Sequence, residues 1–192
     1  MTQQTRNAVV IGADRPFGRE ILERLGAEGY ALVDGGGSGP IDLLVVNRPV
    51  EAKGIAFREI DDAEFMAAVS DQLYDLVAAG QSAAPRMTGG GTIVVIASRA
   101  HLGGWGGAHV MAAGAALVGM SRSMALELAG QGVRVNVIAA PFVGEPADTP
   151  LARADVAGTV IYLAGPDGGS ITGETLLLNR GDSLRMGEGR RR

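Results

Sequence analysis

The chain has 192 residues, 46% of them hydrophobic, and a formal net charge of −4. It contains no cysteine, which excludes disulfides, a thiolate nucleophile and a cysteine-based metal site, and its two histidines (His101, His109) lack the clustered carboxylates of a metal centre. The acidic balance argues against nucleic acid, and the lack of a long uninterrupted apolar span argues against a membrane.

Residues 7–12 (NAVVIG) read as a buried strand that turns into a helix at about Phe17. Phe17, Ile21, Leu22 and Leu25 give that helix one apolar stripe, ended by Gly26 and Gly29. A short strand over 30–33 reaches Asp34, and GGGSGP then leads straight into a strand at 41–47 (IDLLVVN). Asp61 and Glu64 form a capping pair, with Ile60 and Phe65 as a hydrophobic staple, so a helix is predicted from there to about Gly80. Its expected buried face is Phe65, Met66, Val69, Leu73, Leu76 and Val77.

Residues 92–97 form an apolar, β-branched run of the kind buried on both faces of a sheet. A loop with Gly103, Gly104, Gly106 and Gly107 follows, then a helix over 109–129 that is apolar or glycine on all faces between Val110 and Met120. One side of it fits a sheet; the other is too apolar for water and calls for another helix or another subunit. Gly130 and Gly132 stop it, 133–139 reads as a second buried strand, and a helix at 155–164 precedes a last strand within ITGETLLLNRG. Strand and helix alternate throughout, which predicts an α/β fold: a three-layer, Rossmann-like, doubly wound parallel sheet in a single domain over residues 1–192.

These motifs resemble the short-chain dehydrogenase/reductase family along nearly the whole chain. In that family a serine ends the central strand, and thirteen residues later a tyrosine opens a Tyr-x-x-x-Lys motif. Ser98 matches the serine, but the tyrosine and lysine positions hold Met111 and Ala115. A phenol whose ordinary pKa is about 10 needs a nearby cation to exchange a proton at neutral pH. A thioether has no proton to give, and alanine supplies no charge. The family's asparagine aligns near Asp75, expected to be an ordinary polar helix position.

The turn IGADRPFGRE resembles the family's Thr-Gly-x-x-x-Gly-x-Gly phosphate loop. Gly12 and Gly18 are kept; Ile11 and Pro16 replace the threonine and the middle glycine, and Asp14 adds negative charge. Asp34 stands two residues early for the acid that holds the adenosine ribose. The helix, strand and helix that follow in the family, and close over adenine, are missing. DLLVVNRPV resembles Asp-x-Leu-Val-x-Asn-Ala-Gly, with Asn47 kept and Arg48 and Pro49 in place of the small residues that make room for adenine. Arg48 is expected to be a surface arginine. After residues 140–143 (APFV) too little chain remains for the family's substrate lid, whereas Thr172 and Gly173 match its closing strand.

The losses favour a non-catalytic structural or regulatory subunit that associates with itself or with an active relative, through helices 62–80 and 109–129. The alternatives are a cyclase, isomerase or lyase working in the open cleft, where Ser98, Asp75, His101 and His109 are the polar groups left, and an oxidoreductase with a relocated acid such as His109. No cofactor is expected; the alternative is NAD or NADP at Gly12, Gly18, Asp34 and Asn47. Because MTQQTRN has no signal pattern, a cytoplasmic location is expected. Thirty glycines and a single lysine, Lys53, suggest a GC-rich bacterial genome, and Arg190–Arg192 a solvated tail.

Overall fold

In the computed structural model, six strands form one parallel sheet in the order β2-β1-β3-β4-β5-β6. They are β1 (Arg6–Ile11), β2 (Tyr30–Leu32), β3 (Leu43–Asn47), β4 (Gly91–Ser98), β5 (Val133–Ala140) and β6 (Thr175–Leu177). The structure describes residues 5–49, 55–103, 107–141, 149–179 and 181. Gly104, Gly106, residues 142–143 and the basic tail lie outside them.

The strands form because each carries a near-continuous apolar run, and both faces of the sheet are covered. On one face Val9, Leu44, Val46, Ile93, Val95, Val135 and Val137 pack beneath α2 (Asp62–Ala83) and α3 (Ala108–Leu128). On the other, Ala8, Leu43, Val45, Val94, Ile96 and Ile138 meet α1 (Gly18–Ala27) and α4 (Pro150–Ala164). Alternate residues of one strand thus enter different cores, as the two-residue period of a strand requires. This is the three-layer, doubly wound architecture expected.

The missing layer is visible at the edge. Between β2 and β3 the chain forms neither helix nor strand, and β2 is the outermost strand on its side. Side chains at the end of α2 and in the turn after it pin this connection: Ser82 Oγ donates to the Gly35 carbonyl at 3.1 Å, and Arg86 donates to the carbonyls of Gly35 and Gly39 at 2.7 Å each.

Two expectations need correction. Helix α4 begins at Pro150 rather than 155: the Thr149 side chain accepts from the Ala152 amide at 3.1 Å, and proline is suited to the first helical turn. Helix α2 does begin with Asp61 capping the Glu64 amide at 2.8 Å, but its buried residues are Gln72, Leu76, Gly80 and Ala83. Of the predicted face only Leu76 is fully buried. Phe65 and Val77 are exposed, as is Met66 at 61%. Small residues let α2 lie close to α3 and the sheet, and the large apolar ones are left outside. On α3, Leu117, Val118 and Ala125 join the core against the sheet, Ala113 is buried and Val110 packs with Ala68 of α2, whereas Ala112, Ala115, Ala116 and Gly119 are exposed.

Candidate functional site

In an open α/β sheet, ligands bind beyond the carboxyl ends of the strands, where successive connections leave in opposite directions. Here the chain passes from β1 outward to β2 and then returns to β3 on the other side of β1. The crevice at this switch point is walled by the turn after β1 and by residues 47–49 after β3.

The turn keeps the form of a cradle. Gly12 has φ 73°, and a Cβ on it would collide with the carbonyl oxygen of Asn47. A Cβ on Gly18 would strike the carbonyl of Ala13, so both glycines are required by close backbone approach. Between them Phe17 caps α1 in the left-handed region (φ 73°), fully buried, a strained conformation for a bulky residue that the surrounding core must hold. Asn47 braces the turn from the opposite wall: its Nδ2 donates to the carbonyls of Gly12 and Pro16.

The mouth of the crevice is crossed by charge. Arg48 is 7% exposed, not the surface arginine expected. Its Nη2 lies 2.5 Å from Asp75 Oδ2 and its Nη1 3.5 Å from Asp71 Oδ1. Arg15, from the other wall, reaches the same Asp71 oxygen at 3.8 Å. Asp75 is therefore an ion-pair partner rather than a bystander. Sequence alone does not single out Arg15 or Asp71, although the spacing of Asp71 and Asp75 places two carboxylates on one helix face. Asp34 has a local partner, its Oδ1 accepting from the Gly36 amide at 3.0 Å in an Asx turn.

Ser98 is buried at the end of β4, where its Cα pairs with that of Ala140. Met111 is half-buried, and Ala115 one turn later is exposed. His109 is 2% exposed, with neither ring nitrogen hydrogen-bonded, and its Nε2 is 4.0 Å from Glu64 Oε2 on α2. Two residues apart on a helix means about 200°, so His109 and Met111 do not share a face. The polar set Ser98, Asp75, His101 and His109 is thus divided: Asp75 is held by Arg48, and His109 lies beside α2. Among the described residues no group of three or more His, Asp or Glu side chains is placed to hold a metal ion, and no helix is long and apolar enough to cross a membrane.

Residues 35–155 match the sequence profile of a family described as Enoyl-(Acyl carrier protein) reductase. The chain is 32% identical over 169 residues to (2S)-((R)-hydroxy(phenyl)methyl)succinyl-CoA dehydrogenase subunit BbsD of Thauera aromatica, covering 78% of this chain and 68% of that protein. It is 31% identical over 164 residues to nodulation protein G of Azospirillum brasilense, covering 74% of this chain and 66% of that one. Among solved structures, a short-chain dehydrogenase/reductase from Serratia marcescens superposes with a TM-score of 0.79 at 26% identity, over 93% of this chain and 97% of that chain. With the profile spanning more than half of the sequence and a relative at 32% identity over 78% of the chain, the chain belongs to the short-chain dehydrogenase/reductase family.

Proposed function

We propose that this chain is a non-catalytic member of its family, a structural or regulatory subunit that works by association. The observation that carries the reading is the pair Met111 and Ala115 on one face of α3, where a proton relay to a carbonyl needs an acid and a cation. His109 does not replace them, since it lies against α2 beside Glu64.

The residues present do not fit a dinucleotide. Pro16 removes an N–H from the turn that would face a pyrophosphate, Arg48 and Asp75 fill space beside it, and the layer that would cover an adenine is missing.

Association is supported by the outward faces of α2 and α3. Met66, Tyr74 (69% exposed) and Leu126 (81%) are open to solvent, as are the small residues Ala112, Ala116 and Gly119 of α3. Between the helices a groove of about 340 Å3 is lined by Val77, Gly80, Met120, Met124 and Leu128, among others. Large apolar surfaces of this kind belong to subunit contacts. The partner is a second copy or an active relative.

Titrating NAD and NADP by calorimetry, with a diketone reduction assay in parallel, tests the reading. Neither heat of binding nor turnover is expected; saturation at micromolar cofactor, or NADPH oxidation dependent on the diketone, would overturn it.

A further inference from the structure

We propose that Arg48 and Asp75 form an internal latch that shuts the switch-point crevice against diphosphate-bearing nucleotides. The proposal deepens the reading above by naming what excludes such a ligand, and it rests on that reading for the wild-type state.

The two cations come from opposite walls of the crevice: Arg15 follows β1, and Arg48 follows β3. The two carboxylates come from a third element, one helical turn apart on α2. The bridge Arg15–Asp71–Arg48–Asp75 therefore runs across the mouth rather than along one wall. Its members are unequal. Side-chain exposures of 38% and 59% leave the Arg15–Asp71 contact wet and weak. The Arg48 side chain is 8% exposed, so its charge is held out of water and depends on the Asp75 carboxylate at 2.5 Å. Separating such a pair leaves a buried charge without its partner, which is what makes it hold.

The bridge also decides which ligands are refused. An entering diphosphate meets the Asp71 and Asp75 carboxylates, and the nearest cation is already engaged. Arg48 Nε is buried without a hydrogen-bond partner, so the guanidinium has not been placed to suit every donor; its outer nitrogens are committed to α2. Below it, Asn47 spans the floor from β3 to Gly12 and Pro16.

ADP is the probe, titrated by calorimetry into the full-length wild type, Asp75→Asn, and the double variant Arg48→Met with Asp75→Asn. The double variant removes both charges together and keeps an aliphatic stem in the space. It is expected to bind ADP at least tenfold more tightly than the wild type. Asp75→Asn, nearly isosteric and the safer fold, is expected to gain at least threefold, and Arg48→Met takes the place of the double variant, with a gain again expected, if that variant does not fold by circular dichroism. Folded variants that bind ADP no more tightly than the wild type overturn the latch and leave the non-catalytic reading intact. A gain in Asp75→Asn that disappears in the double variant also overturns it, because Arg48 is then an anion ligand rather than a bar. Micromolar NADP binding with turnover in the wild type is the separate result that defeats the reading on which the latch rests.

Discussion

Asn47 Nδ2 donates to the carbonyl oxygens of Gly12 and Pro16, at 2.8 and 2.9 Å, and so joins the end of β3 to both shoulders of the turn after β1. Asn47 is fully buried. Removing its amide in Asn47→Ala takes the donor from both carbonyls, which should cost about 1–3 kcal/mol in urea unfolding. Asn47→Asp places a carboxylate against two carbonyl oxygens and should cost at least as much. A loss below about 0.5 kcal/mol in both variants would mean that the turn is held by something else.

If the missing acid and cation were the only defect, Met111→Tyr with Ala115→Lys would restore carbonyl reduction. We expect no turnover from this double variant with NADPH and a diketone, because the crevice remains bridged and uncovered. Measurable, diketone-dependent NADPH oxidation would show that the cofactor side of the site is intact.

Two alanines on α3 separate association from folding. Ala116 faces outward, whereas Ala113 is 1% exposed against the core. Ala116→Arg should keep its circular dichroism spectrum and sediment as a monomer, while Ala113→Arg should unfold, having buried an unpaired charge. A wild type that sediments as a stable monomer at micromolar concentration would remove the basis for association.

Tyr30 makes stability depend on alkaline pH. Burial raises its phenol above the ordinary 10.0, with the Arg6 guanidinium, 4.1 Å above the ring, pulling partly the other way. The unfolded chain ionises first as pH rises, so this stabilising contribution is complete below 10.0 and is lost as pH climbs through the folded value. Between about pH 8 and about pH 11, the fall in melting temperature should be smaller for Tyr30→Phe than for the wild type. An equal fall in both proteins would assign the alkaline loss to other groups.

Much of the fold was legible because parallel strands buried on both faces announce themselves as apolar runs; β4 and β5 are plain in TIVVIA and VRVNVIA. The face of α2 was not. Hydropathy marks Phe65, Met66 and Val77 as residues that avoid water, but it does not say whether a sheet or a second molecule provides the shelter. Arg48 was misread for a different reason. Its counter-ions stand 23 and 27 positions later, and only the packing of α2 across the strand ends brings them to it. The capping pair Asp61 and Glu64, by contrast, is local and read correctly, since its geometry needs only three residues of helix.

Loss of the outer layer also changes what the sheet can recruit. A free sheet edge is a template on which another polypeptide can add a strand, and its danger grows with its length. Here the boundary strands, Tyr30–Leu32 and Thr175–Leu177, have three residues each, too few for a firm ladder with a neighbour. Truncation therefore exposed a new edge without creating a long template for cross-β assembly. On the proposed reading, contact between copies falls to the helical flank, where side-chain shape, rather than backbone hydrogen bonding, selects the companion.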